Sequence, residues 1–224
     1  MHSIILPCFN AALYVEEAIY SVISQIAKDD ELIIIDDAST DSSLEVIERS
    51  KDSRIRLIKR QKNGGIGVAR NDGLKIAQGH YIDFIDADDY WSSHRYEIIQ
   101  TIIKQHQSPD IISGKVEHFY SPDIDPKSLA HFKLPPVQQA HLPGSVTIRH
   151  DLIKKVGYFE PHLKGGEFID LMAKILREQP LWIKSDAIFL SRRIHLTNYT
   201  TLNKDQTREG YLAVIKHHLK RTET

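Results

Sequence analysis

The chain has one cysteine, Cys8, in 224 residues. That excludes an intrachain disulfide framework and any zinc centre built from several cysteines. Cys8 follows Pro7 at the end of an apolar run and has no histidine nearby, so it reads as a small buried residue rather than a nucleophile. An excess of one charge is also lacking: Lys and Arg number 29, Asp and Glu 30, for a formal net charge of -1. Such a balance gives no footprint for nucleic acid or for an acidic membrane surface. Apolar runs are short, none approaching the roughly 20 residues that span a bilayer. The opening Met1-His2-Ser3-Ile4-Ile5-Leu6-Pro7 has no basic region, and its apolar stretch is too short for a secretory signal. A cytoplasmic protein without a membrane span is expected. No internal repeat or low-complexity segment is found. At 41% hydrophobic and 26% charged residues, the composition is that of an ordinary globular chain of one large domain, or of one domain with a small appendage.

Short apolar runs alternate with amphipathic segments over the first ninety or so residues. Strands are expected at Ser3–Leu6, Glu31–Ile35, Ile55–Lys59 and Tyr81–Ile85. Helices are expected at Leu13–Ile26, from a capping box at Ser42-x-x-Glu45 to about Arg49, and at Val68–Ala77. Continuous apolar strands alternating with helices indicate an α/β fold with a parallel sheet covered on both faces. Ligands in such sheets bind outside the carboxyl ends of the strands. Pro7 to Asn10, Asp36-Asp37 and Asp86 to Asp89 all follow strand ends, so they should converge on one rim. Further on, Ile98, Ile99, Ile102 and Ile103 mark a helix, and Ser121 to Pro143 reads as an irregular excursion. Ser145–Arg149 and Leu181–Leu190 read as strands, and Gly166–Arg177 as a helix. The tail from Gln206 to Lys220 is amphipathic, with Tyr211, Leu212, Ile215 and Leu219 on one face. That face is expected to pack on the core or on a partner, with a membrane surface as the alternative, which leaves a homo-oligomer open.

The densest chemical signal is Tyr81-Ile82-Asp83-Phe84-Ile85-Asp86-Ala87-Asp88-Asp89, a strand-like run that ends in three acids within four positions. Carboxylates so close repel one another and lose hydration when buried. A divalent cation between them removes the conflict, and magnesium or manganese prefers one or two carboxylates completed by a substrate's phosphates. The plainer alternative is a polar turn that caps the next helix.

These residues form an ordered set with others. Ile4-Ile5-Leu6-Pro7-Cys8-Phe9-Asn10, Ile34-Ile35-Asp36-Asp37-Ala38-Ser39-Thr40-Asp41, the glycine segment Asn63-Gly64-Gly65-Ile66-Gly67-Val68-Ala69-Arg70-Asn71 with Gly73, Ala77 and Gly79, Asp86-Ala87-Asp88-Asp89 and Val156-Gly157-Tyr158-Phe159 follow in sequence. Taken together the set resembles the family-2 inverting glycosyltransferases over nearly the whole chain. The resemblance implies one GT-A domain over residues 1–224, a Rossmann-like, mostly parallel sheet flanked by helices. Residues 1–95 would bind a nucleotide-sugar donor, expected to be UDP-linked, and residues 96–224, with the C-terminal helix, a hydroxyl acceptor of unknown identity. It implies Mg2+ or Mn2+ as cofactor. Pro7, Phe9, Asn10, Asp37 and Asn63 would contact the nucleotide sugar, Asp37 by accepting the uracil N–H; a solvated turn residue is the alternative for Asp37. Arg70, Asp86 and Ala87 would do the same, with Asp86 facing the ribose; an ordinary salt bridge is the alternative for Arg70. Asp88 would hold the metal, with Asp89 as an alternative ligand or a helix cap. Arg192-Arg193-Ile194-His195-Leu196-Thr197-Asn198 resembles the family's late segment, in which His195 returns to the metal or diphosphate and Arg193 neutralises the leaving group.

The family's usual Glu-Asp at the start of the acceptor-side helix is replaced here by Glu167-Phe168, and phenylalanine accepts no proton. Glu167 and Asp170 lie three apart on one helical face, and a carboxylate at a helix N-terminus is favoured in its charged form. Either could be the general base, with Glu167 preferred; both could instead be ordinary acids of a first turn. Of the twelve histidines, His94, His131, His141, His217 and His218 read as surface residues. A dinucleotide oxidoreductase would need its glycine motif after the first strand, where Pro7-Cys8-Phe9-Asn10 stands instead. A phosphoacceptor of the response-regulator kind would not need the glycine segment. The remaining alternative is a glycosyltransferase-like domain that binds a nucleotide or a partner without turnover.

Overall fold

The computed structural model describes residues 1–124, 133–163, 165–195, 209–212 and 214. The first half runs β1 (His2–Cys8), α1 (Val15–Ile23), β2 (Glu31–Asp36), α2 (Ser43–Arg49), β3 (Ile55–Lys59), α3 (Ile66–Ile76) and β4 (Tyr81–Phe84). It continues through β5 (Tyr90–Trp91), α4 (Arg95–Gln105), β6 (Ile111–Tyr120) and β7 (Gln138–Gln139). The remainder is β8 (Val146–Arg149), α5 (His150–Val156), α6 (Glu167–Leu176) and β9 (Trp182–Ile194). One sheet runs in the order β3-β2-β1-β4-β8-β6-β9-β5, with β7 on β6. Strands β3, β2, β1 and β4 are parallel. β8 is antiparallel to both β4 and β6, and β9 is parallel to β6. Two reversals restore the direction, so β9 ends on the same rim as β1, β2 and β4.

Alternate residues of the central strands feed opposite faces. Ile5, Ile33, Ile35 and Phe84 pack with Leu74 of α3, Ile153 of α5 and Leu171 and Ile175 of α6. Ile4, Leu6, Leu32 and Ile34 pack with Val15, Ala18, Ile19 and Val22 of α1 and Ile47 of α2. Burial on both faces is why these strands read as unbroken apolar runs.

Several local expectations shift. The capping box at Ser42 does not form: the Asp41 carboxylate instead accepts the Ser43 backbone N–H at 2.9 Å, which makes a side-chain cap from Ser42 redundant. Helix α3 starts at Ile66, ahead of Val68, because Gly65 at φ 86° turns the chain into it in a conformation that favours glycine. Residues 209–212 and 214 are helical, and Gln206–Lys220 otherwise lies outside the described residues, as do His131, Thr197, Asn198, His217 and His218. His94 and His141 are exposed. Among the described residues no helix is long and apolar enough to cross a membrane.

One polar cluster lies within the sheet. Asp83 is fully buried, accepting hydrogen bonds from Arg95 Nη2 at 2.8 Å and Thr147 Oγ1 at 2.5 Å, with His2 Nδ1 at 2.8 Å. Burial opposes its charge, but the His2 bond, the charges of His2 and Arg95 and the Thr147 hydroxyl outweigh it and hold the carboxyl below the ordinary range. A depressed carboxyl stabilises the fold above its unfolded value, near 3.8, and that contribution is lost as pH falls toward the folded value. Asp83→Asn leaves Arg95 buried without its counter-charge and is expected to cost about 3–5 kcal/mol at neutral pH. Thermal melting against pH checks it: the variant melts lower than the parent at pH 7, and the gap narrows in acid.

Candidate active site

The turn after β4 sends its acids in different directions. Asp86 is about a third exposed, its side chain at 32%, and accepts Arg70 Nη2 at 2.7 Å. Ala87 is buried. Asp88, with its side chain 28% exposed, meets His195 Nε2 at 2.9 Å. Asp89 turns inward and accepts the Arg193 backbone N–H at 2.8 Å. Burial, then the charges of Asp88 and Asp86, push its carboxyl well above the ordinary range. Helix α4 starts only at Arg95, so Asp89 serves as a tie between β9 and the turn and not as a helix cap.

Arg70 reaches the rim from α3 and is 1% exposed. Its second terminal nitrogen donates to Glu167 Oε1 at 3.0 Å, so a single guanidinium joins Asp86 to Glu167. The Phe84 and Phe159 rings pack 5.9 and 5.5 Å from its carbon. Both terminal nitrogens of Arg70 are thus engaged by carboxylates, the salt-bridge arrangement that the sequence left open as the alternative. Gly165 at φ 93° and Gly166 at φ 78° lead into α6. The register that brings Glu167 to the rim drives Phe168 into the core, edge-on to Phe84. Asp170 faces away from Arg70: it is 1% exposed and pairs with Lys174 at 2.8 Å, which also holds Glu160 at 2.7 Å. Of the two candidate bases, Glu167 is the one that Arg70 joins to Asp86.

Asp37 is 3% exposed and accepts from Arg60 Nη1 and from the backbone N–H groups of Gly64 and Gly65 at 3.0 and 2.8 Å. Gly64 N–H also reaches the second oxygen at 3.2 Å, so each carboxylate oxygen already accepts twice and the group shapes the glycine turn. Asn63 donates to the Asp37 carbonyl at 3.2 Å. Asn10, at φ 51°, accepts the Thr40 backbone N–H at 2.8 Å, so it ties the first strand-end loop to the second. Pro7 is buried, whereas Phe9 is 48% exposed.

Arg193 is 4% exposed, and Nε, Nη1 and Nη2 each bond within the protein, to the Asp88 carbonyl, Ser121 Oγ and the Glu17 carboxylate. It is a clamp beneath the rim. The Tyr14 ring packs 4.7 Å from His195 and donates through its hydroxyl to Asp123 at 3.0 Å. Sequence reasoning missed Arg60, Asn71, Tyr14 and Glu17. Arg60 directly follows β3, a strand end on the same rim, and that signal was there to use. Asn71 lies inside the glycine segment and exchanges two hydrogen bonds with the Phe159 backbone, at 2.8 and 3.0 Å. Nothing local marks Tyr14 or Glu17.

The sequence profile described as Glycosyl transferase family 2 matches residues 3–166. The chain belongs to glycosyl transferase family 2. An uncharacterised glycosyltransferase of Haemophilus influenzae is 44% identical over 97 residues, 42% of this chain and 39% of that protein. The poly(ribitol-phosphate) beta-glucosyltransferase of Bacillus spizizenii is 39% identical over 120 residues, 51% of this chain and 19% of that protein. The chain thus spans well under half the length of these relatives. Among solved structures, S. aureus TarS 1-349 in complex with UDP-GlcNAc superposes with a TM-score of 0.74 at 24% identity, over 89% of this chain and 60% of that one. The mannosyltransferase PcManGT of Pyrobaculum calidifontis, in complex with GDP-Man and Mn2+, gives 0.70 at 18% identity, over 98% and 64%. The family-2 chain has the GT-A fold of these neighbours.

Among its described residues no group of three or more His, Cys, Asp and Glu is arranged to hold a metal alone. The donors that do meet are a carboxylate and an imidazole, Asp88 and His195. That pair suits a cation whose remaining ligands come from a bound diphosphate and water.

Proposed function

We propose that the chain transfers a sugar from a nucleotide-diphosphate donor, UDP-linked, to an acceptor hydroxyl with inversion, aided by Mg2+ or Mn2+. The observation that carries this reading is the meeting of Asp88 with His195 beside Asp86 and Glu167, which Arg70 joins. Support comes from the GT-A neighbours solved with UDP-GlcNAc, with UDP, and with GDP-Man and Mn2+. Donor binding falls to residues 1–95, where Asp37 would accept the uracil N–H in exchange for one of the bonds it now takes from the Arg60 and glycine-turn donors, and acceptor binding to residues 96–224.

The residues divide the work by chemistry. Asp88 and His195 would hold the cation, which when bound supplies Lewis-acid charge for a departing diphosphate. Glu167, at the α6 N-terminus, takes the acceptor's proton as its oxygen attacks the anomeric carbon. The bond from that carbon to the diphosphate breaks, and its electron pair leaves with the nucleotide. Attack from the opposite face inverts the centre. Arg70 fixes Glu167 relative to Asp86, so base and donor are held in one geometry.

Phe168 favours a second reading, a domain that binds nucleotide without turnover, because the family's usual base position is buried in the core. A thermal-shift screen tests the donor assignment. UDP-sugars with Mn2+ are expected to raise the melting temperature, and the same sugars in chelator to leave it unmoved. Stabilisation by GDP-sugars alone would overturn the UDP assignment, and no response to any nucleotide sugar would overturn the donor site itself.

A further inference from the structure

We propose that Glu17, on the first turn of α1, is a positioning residue that sets Asp88 against His195 through Arg193; this rests on the donor–metal reading above. Arg193 holds the acid turn at two points, its Nε on the Asp88 carbonyl at 2.9 Å and its backbone N–H on Asp89 at 2.8 Å. His195 is two residues further along the same chain, so the clamp lies between both halves of the pair. The guanidinium sits in an aromatic cage, with Phe119, Tyr14 and Tyr90 ring centres 4.8, 5.0 and 6.0 Å from its carbon. Ring faces hold a guanidinium by its plane but leave it free to turn within that plane. Edge bonds stop that turning, and a charged one comes from Glu17.

Glu17 lies outside the rim. Its side chain is 58% exposed, and it forms part of the wall of a groove of about 550 Å³ with Tyr20, Tyr90 and Trp91. Among the described residues Arg193 is its only ion-pair partner. The pair is half in water, Glu17 exposed and Arg193 buried, and the Asp88 carbonyl and Ser121 Oγ remain on the guanidinium when Glu17 is removed. The effect of Glu17 is therefore to be read on the placement of the pair, with the melting curve measured beside it.

The test is calorimetric titration of UDP in Mn2+ and in chelator, with melting curves, for the parent, Glu17→Ala, Glu17→Gln and Arg193→Lys. The gain in UDP affinity that Mn2+ confers on the parent is expected to fall about 10–100-fold in Glu17→Ala, the range for residues that orient metal ligands. Affinity in chelator stays at the parent's value, and the melting temperature moves by no more than about 2–4 °C. Glu17→Gln, which keeps an acceptor oxygen, falls between. Arg193→Lys keeps the charge, loses the fork and matches Glu17→Ala. A parent-like Mn2+ gain in Glu17→Ala overturns the positioning role and leaves the donor–metal reading intact. If Glu17→Ala unfolds, Glu17→Gln decides: a diminished gain at an unchanged melting temperature supports the role, and a full gain overturns it. A parent with no Mn2+ gain removes the donor–metal reading and this inference with it.

Discussion

Glu167→Gln is expected to bind donor as the parent does and to lose sugar transfer by roughly 10²–10⁴-fold, the usual reach of a general base. Glutamine keeps an oxygen that accepts from Arg70 Nη1, so the guanidinium stays in place and Asp86 keeps its 2.7 Å partner. What is lost is the capacity to take a proton at neutral pH. Asp170→Asn is the contrast, because Asp170 is buried on the Lys174–Glu160 pair and not on Arg70. It is expected to lower the melting temperature while turnover per folded molecule holds. Single-turnover rates beside melting curves separate the two. A large loss of transfer in Asp170→Asn, with none in Glu167→Gln, would exchange their roles.

Asp88→Ala is expected to abolish the Mn2+-dependent part of nucleotide affinity and to cut transfer by more than the about 10–100-fold that outer-shell changes cost. It removes the carboxylate of a two-donor pair, and His195 alone is a poor anchor for a hard cation. The side chain is 28% exposed, so the melting temperature without ligand should stay close to the parent's. Titration of UDP in Mn2+ and in chelator reads the effect. A variant that keeps the parent's Mn2+ gain would take Asp88 out of the cation's contacts.

The parts of the fold legible in the sequence are those whose burial is uniform. β1, β2 and β4 lie in the middle of a sheet covered on both faces, and their apolar runs show it. β6 escaped notice because its burial is not uniform: Ile111 and Ile112 are buried, while Lys115, Glu117 and His118 are half-exposed along its far end. That gives neither a continuous run nor a clean alternation. α5 has only seven residues, too short for a helical period to show. The acids of the rim were legible because they end strands. Their partners were not, since Arg70 lies 97 residues from Glu167 and Arg193 176 residues from Glu17. Those pairs are brought together by the packing of α3, α6 and α1 on the sheet and, for Arg193, by the place of β9 in it. Hence Arg70 and Arg193, read as donor contacts from their motifs, prove to be bonded to the protein's own acids and carbonyls.

The central claim is metal-dependent turnover of a nucleotide sugar, and UDP release from a panel of UDP-sugars by the full chain tests it most directly. Steady release in Mn2+ is predicted, to water or faster to an added hydroxyl acceptor, stopped by chelator and by Glu167→Gln. Tight UDP binding with no release from any nucleotide sugar, with or without acceptor, would contradict the claim and leave a binding domain in its place.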